Sequence, residues 1–163
     1  MAYSYSKLFG IPTTGLRLFT VYGPFGRPDM AYFSFTKNIN DNKEIELYNN
    51  GDMFRDYTYI DDVVECIIRL LNKKPDNDED NAPYKVYNIG NGRPESLEDM
   101  VEAIETFLEK KARKKLVPMQ KGDVFLTYSN NEELRKAIDY VPQTTLQEGI
   151  CKFILWYKKY YEE

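Results

Sequence analysis

The chain has 163 residues, 22 of them basic and 26 acidic, for a formal net charge of −4; this length suits one domain that buries about two-thirds of its unfolded surface, and the acidic balance argues against nucleic-acid or anionic-membrane partners. Fourteen tyrosines, nine phenylalanines and one tryptophan speak against disorder. The absence of histidine removes Ser-His-Asp and Cys-His nucleophile systems and His-ligated metals from these residues.

In chain order, α and β signals alternate. Residues 2–9 read as the end of a helix closed by Gly10, the usual left-handed stop. TTGLRLFTVY (13–22) reads as one buried strand ended by Gly23-Pro24. A short helix is expected over 31–40, then a strand in EIELYN before the turn at Asn50-Gly51, and a short extended piece in DYTYI. Helix DDVVECIIRLL (61–71) carries its apolar residues at Val63, Val64, Ile67, Ile68 and Leu71. The polar loop KKPDNDEDNAP leads to strand YKVYNI, and Ser96 with Asp99 forms a capping box that opens a helix over 97–111. KLVPM reads as a strand, 131–138 as a short helix, and TTLQEGICKFILWYKKYY as a terminal amphipathic helix. Cys66 and Cys151 fall in two different helices and are expected as free, buried thiols. The opening MAYSYSKLFG has no basic start followed by an apolar run, and nowhere do 18 apolar residues follow one another. A soluble, cytoplasmic protein is expected.

Three patterns fall short of the chemistry they suggest. Asp76, Asp78 and Asp80 imitate the start of a calcium loop, but Asn81 stands where the sharp turn needs glycine and Tyr87 where a bidentate glutamate is needed. Gly90-Asn91-Gly92-Arg93-Pro94-Glu95 lies between a strand and a helix like a dinucleotide fingerprint. Its last position is Glu95, a carboxylate where a pyrophosphate would meet the helix N-terminus. Tyr3 and Lys7 have the Tyr-x-x-x-Lys spacing of short-chain dehydrogenases, and in a tyrosine-rich helix such a spacing arises easily.

Polar groups remain at strand ends, where ligands of open α/β folds gather. Thr20 and Tyr22 close the first strand, Arg55 sits in MFRDYTYIDD, Asn88 interrupts VYNIG, and Asp123 follows Gly122. Arg27 lies on a loop in which Pro24 and Pro28 restrict the backbone while Gly23 and Gly26 allow tight turning. That loop suits an anion holder. Spacing alone equally allows ordinary ion pairs, Arg55 with Asp56 or Asp61 and Arg27 with Asp29.

The segments TTGLRLFTVYGPFGRPDMAYFSFTKNI, IELYNNGDMFRDYTYIDDVVECIIRL, YNIGN and PMQKGDVFLTYSN, in this order, resemble NAD-dependent nucleotide-sugar epimerases of the extended short-chain dehydrogenase family, UDP-glucuronate 4-epimerases above all. The resemblance implies an α/β fold comprising the C-terminal part of a Rossmann-like domain and a mixed α/β substrate-binding lid. Residues 1–28 would hold the last Rossmann strand and the sugar loop; residues 29–163 would hold the substrate-binding portion, with one further Rossmann strand at 84–90. Such enzymes begin with a Rossmann half carrying GxxGxxG and place the catalytic Ser/Thr and Tyr-x-x-x-Lys upstream of residue 13; Tyr3 and Lys7 lie too close to the strand to be that pair. A C-terminal, truncated portion is therefore expected, with no catalytic, cofactor-binding or metal residue of its own. NAD is implied for the complete enzyme, and neither NAD binding nor activity for this chain alone.

The resemblance also assigns roles. Thr20 and Arg27 would face the sugar, with a uronate carboxylate as their target, and Tyr22 would shape that pocket. Tyr48 would lie near the uracil, Arg55 would bind the diphosphate or ribose, and Asn88 and Asp123 would hold ribose or ordering contacts. Gln120 stands where UDP-galactose relatives have arginine, so a second phosphate-binding cation is not expected there. The alternatives are a nucleotide-sugar dehydratase or decarboxylase fragment, which shares the lid, and a non-catalytic UDP-sugar binding or partner module. Strands 16–22 and 84–90 read as near-continuous apolar runs that need cover on both faces. Left open, they would present an edge and an apolar patch, and a homo-oligomer is expected.

Overall fold

A computed structural model describes residues 1–161 and shows the expected mixture of helices and strands. Helix α1 (Ala2–Phe9) stops at Gly10, which takes the left-handed conformation at φ 63°. Strand β1 (Thr13–Leu18) pairs in parallel with β6 (Tyr84–Ile89), from Thr13 opposite Tyr84 to Leu18 opposite Ile89. The single strand expected over 13–22 is in fact two. The Phe19 amide donates to Ile89 O at 3.2 Å and the next amide, Thr20, to Asp56 O at 3.1 Å. The chain thus changes partners at Phe19, and β2 (Thr20–Tyr22) pairs in parallel with β5 (Tyr57–Tyr59).

Helix α2 spans Ala31–Asn40, and β3 (Glu44–Leu47) is followed by a 3-10 turn at Tyr48–Gly51. In that turn Asn49 and Asn50 both take left-handed backbone, a region that asparagine tolerates better than most residues. The short β4 (Phe54–Arg55) pairs antiparallel with β7 (Glu95–Ser96), and α3 covers Ile60–Leu71. Helix α4 (Leu97–Leu108) opens on the expected box. The Ser96 hydroxyl accepts from the Asp99 amide at 3.0 Å, and the Asp99 carboxylate accepts from the Ser96 amide at 3.0 Å. It ends earlier than residue 111, at a left-handed Glu109. Strand β8 is Arg113–Leu116, upstream of the expected KLVPM, and runs parallel to β3 with Glu46 opposite Lys115. Helices α5 (Glu132–Ile138) and α6 (Leu146–Tyr161) complete the chain.

Two cores follow. The larger packs Tyr22, Tyr32 and Phe33 against Phe153 and Tyr157 of α6 and against Met100 and Ile104 of α4. The smaller joins Val63, Cys66 and Leu70 of α3 to Ile89, Leu134 and Ile138. The inward face of α3 is thus 63/66/70, while Val64, Ile68 and Leu71 stay exposed. Cys66 is fully buried and Cys151 half-buried, both as free thiols. The apolar run 16–22 is left open in part, as expected of strands that need cover on both faces: Leu16 and Leu18 are 37% and 50% exposed. Among the described residues no helix is long and apolar enough to cross a membrane.

Candidate functional site

The start of β2, the end of β4, the start of α2 and the 3-10 turn enclose a cavity of about 240 Å³. Four of the seven sequence-derived residues line it: Thr20, Tyr48, Arg55 and Asp123. Arg55 donates from Nη2 to Asp123 Oδ1 at 2.7 Å, and from Nη1 to the carbonyls of Phe54 and Phe125 at 3.0 and 3.3 Å. The partner of this guanidinium is therefore Asp123, neither Asp56 nor Asp61. Its side chain is only 18% exposed, and a planar fork held in this way is oriented before any ligand arrives. Tyr48 Oη lies 3.4 Å from Glu46 Oε2. Lys115 sits 2.7 Å from Glu46 and holds its carboxyl below the usual carboxylate range.

The other three residues lie around this cavity. Asn88 opens onto a neighbouring cleft that shares Thr20, and its side-chain amide donates to Asn130 O at 3.2 Å. Arg27 lines a second depression that shares the wall residues Met30 and Tyr32 with the first. Its guanidinium grips Asp29 through two contacts, Nε to Oδ1 at 3.0 Å and Nη2 to Oδ2, and both side chains are exposed. That pair pulls the Asp29 carboxyl below its ordinary value. Between Gly23 and Arg27 the non-glycine Phe25 adopts φ 58°, and its exposed ring rests 5.0 Å from that of Trp156. Tyr22 lines the Arg27 depression, but its hydroxyl turns into the core and donates to Thr145 O at 3.3 Å. Burial pushes that phenol well above its ordinary pKa.

Three further features correct or complete the reading of the motifs. The amides of Asn91 and Gly92 in the glycine loop donate to the Asp56 carboxylate at 2.6 and 3.0 Å. They cradle an anion of the protein itself, and burial raises the pKa of Glu95 beside them. This loop does not fit the pyrophosphate of a dinucleotide. Tyr3 Oη and Lys7 Nζ both hold Asp80, at 2.7 and 3.2 Å. That hydrogen bond pushes the Tyr3 phenol up to about 12, opposite to what a proton-abstracting tyrosine needs. Asp78 Oδ1 in turn accepts from the amides of Asp80 and Ala82, so the acidic loop is stitched by its own backbone.

Sequence reasoning missed much of the cavity wall, including Met30, Tyr32, Met53, Tyr57 and Met100. These read as ordinary core residues, and nothing local marks which core side chain also faces a void. It also missed Asp56 and Asp62. Asp62 accepts from Tyr140 Oη at 2.6 Å and from the amides of Gln143 and Thr144, fixing the loop before α6.

Comparison with known proteins bears on this arrangement. The chain is 52% identical over 174 residues to Protein CapI of Staphylococcus aureus, a match covering 100% of this chain and 52% of that protein. It is 41% identical over 171 residues to UDP-glucuronate 4-epimerase 1 of Arabidopsis thaliana, covering 99% of this chain and 40% of that protein. The structure superposes on UDP-glucuronic acid 4-epimerase from Bacillus cereus, solved with UDP-glucuronic acid and NAD, with a TM-score of 0.87 at 30% identity, covering 98% of this chain and 49% of that one. The chain thus spans about half the length of such relatives. The sequence profile described as the NAD dependent epimerase/dehydratase family matches residues 1–90. With more than half its length matching that profile, the chain belongs to the NAD dependent epimerase/dehydratase family.

Proposed function

We propose that the chain is the substrate-binding portion of an NAD-dependent UDP-sugar 4-epimerase that acts on UDP-glucuronate, and that it has no epimerase activity alone. The observation carrying this reading is the cavity in which Arg55, held by Asp123 and two carbonyls, stands with Thr20 and Tyr48 at the strand ends. Arg55 meets the diphosphate, exchanging part of its bonding to Asp123 for phosphate oxygens, and the freed Asp123 accepts from a ribose hydroxyl. Tyr48 lies against the uracil. Asn88 adds an ordering contact through the cleft that shares Thr20. Thr20 and Arg27 receive the uronate carboxylate, and Tyr22 contributes its ring to that wall. An exposed ion pair is worth little, so Arg27 can leave Asp29 for a ligand carboxylate at small cost. The similar proteins named UDP-glucuronate 4-epimerase support this substrate over the dehydratase and binding-module readings.

NAD belongs to the complete enzyme, where it supplies hydride acceptance and return. The glycine loop at 90–92 offers its pyrophosphate no cradle, since its amides already hold Asp56. The domain assignment stands as part of the same proposal: residues 1–28 as the last Rossmann strand and sugar loop, with 84–90 as a further strand beside it.

The test is Arg27→Met, comparing affinity for UDP-glucuronate with affinity for the neutral UDP-glucose. Losing a charge-assisted bond should weaken the first by roughly tenfold and leave the second nearly unchanged. Equal losses would place Arg27 on the diphosphate or in the scaffold, and no loss would leave it a partner of Asp29 alone.

A further inference from the structure

Segment 123–129 runs from the cavity wall, which Asp123 lines, and little apolar burial holds it. Val124, Phe125, Leu126 and Tyr128 are all exposed. Hydrogen bonds to β4 fix it instead: the Phe54 amide donates to Phe125 O at 2.9 Å and the Thr127 amide to Phe54 O at 3.2 Å. One end is tied by Asp123 to Arg55. The other ends at Ser129, whose amide and hydroxyl both donate to Asp56 Oδ2, at 2.9 and 2.7 Å.

Asp56 is 0% exposed and stands between Arg55 and Tyr57, which both line the cavity. Its Oδ2 also accepts from the Gly92 amide, and its Oδ1 from the Asn91 amide and, at 3.4 Å, the Thr58 hydroxyl. Its own amide donates to Thr127 Oγ1 at 3.0 Å and its carbonyl accepts from the Thr20 amide. The buried carboxylate of Asp56 thus joins the glycine loop to Ser129 at the end of segment 123–129, and the backbone of the same residue ties Thr127 and Thr20 to the strand end that carries Arg55. The approach is close: a Cβ on Gly90 would lie 2.3 Å from Ser129 Oγ and 3.0 Å from Asp56 Oδ2. Neither apolar core includes segment 123–129, so its seat depends on the contacts to β4 and on the Asp56 carboxylate at Ser129.

We propose that Asp56 is a positioning residue of the ligand site: it seats segment 123–129 and so sets where Asp123 holds Arg55. The inference rests on the reading that Arg55 receives a nucleotide diphosphate. Asp56→Asn keeps the volume, but in either amide orientation its NH₂ meets backbone donors, Asn91 on one side and Gly92 and Ser129 on the other. Such donor-to-donor placement is costly when buried.

The experiment measures UDP binding by calorimetry for the chain, Asp56→Asn, Arg55→Met and the double variant. Asp56→Asn should weaken binding roughly tenfold when Arg55 is present and less than about twofold when it is absent, because the two act through one contact. An unchanged affinity, or the same loss in both backgrounds, would overturn the proposal. Amide hydrogen exchange supplies a readout independent of UDP. Exchange at Phe54 and Thr127 should accelerate in Asp56→Asn while the α4 and α6 amides keep their protection; unchanged rates at those two amides would overturn it. If the chain itself fails to bind UDP, the functional reading falls and the exchange result still decides the role of Asp56. Should Asp56→Asn fail to fold by circular dichroism, Ser129→Ala removes one donor and leaves the carboxylate held by three amides. It should give a smaller loss, again confined to the Arg55 background, and an equal loss in both would refute the assignment.

Discussion

Gly149 of α6 is a position where the fold leaves no room for an added methyl. A Cβ there would lie 2.0 Å from Tyr22 Oη, 2.6 Å from its Cζ and 2.7 Å from its Cε2. Tyr22 has nowhere to go: it is 1% exposed and edge-packed on Tyr32, Tyr57 and Tyr59 at ring distances of 5.9, 6.3 and 5.7 Å. Gly149→Ala gains about 0.5–1 kcal/mol of helix propensity. Overpacking of this kind costs about 1–3 kcal/mol, and displacing Tyr22 from Thr145 O removes a hydrogen bond worth about 1 kcal/mol. The net is a destabilisation of about 1–3 kcal/mol, which for a chain of this size lowers Tm by about 2–4 °C per kcal/mol. Thermal melting followed by far-ultraviolet circular dichroism gives the value. Tyr22→Phe in the Gly149→Ala background should recover part of the loss by removing the oxygen nearest the new methyl. A Tm equal to or above that of the parent would refute the packing of Tyr22 against α6, and with it the conclusion that the Tyr22 hydroxyl serves the core.

The other predictions concern separate parts of the chain. Trp156 is the one tryptophan, so Phe25→Ala should change its emission with no change in far-ultraviolet circular dichroism; identical emission would mean that the 23–27 loop does not rest on it. Ser96→Ala, which removes the hydroxyl that accepts from Asp99, should cost about 1 kcal/mol in a denaturant titration. Glu148 accepts from the Thr145 amide and hydroxyl, which hold its carboxyl below the ordinary range. A depressed folded value means stability fully present above the ordinary carboxyl range and lost as pH falls through the folded value. The Tm gap between the parent and Glu148→Gln should therefore shrink on acidification, and a constant gap would contradict the assignment. The exposed Leu8, Phe9, Leu16 and Leu18 should draw chains together, so light scattering should report a dimer or larger species, and a monodisperse monomer would count against it.

What the sequence revealed is what local chemistry decides. Gly10 ends α1 and the Ser96–Asp99 box opens α4 because each needs only residues within a turn. Arg27 pairs with Asp29, two residues away, as spacing allowed. The break at Phe19 was hidden because it reflects a change of partner strand, from residues 84–89 to 57–59, with no mark in the apolar run. Arg55 was read against its neighbouring acids and instead found Asp123, 68 positions later. Spacing allows Asp56 or Asp61 as a partner of that arginine, whereas the Asp56 carboxylate accepts from the amides of residues 91, 92 and 129.

The most direct measurement is a calorimetric titration of UDP into the 163-residue chain and into Arg55→Met. Saturable binding by the parent, weakened in the variant by about 1.5–3 kcal/mol, or roughly 10- to 150-fold in Kd, is the predicted result. No binding by the parent, or equal binding by both chains, would contradict the placement of the diphosphate at Arg55.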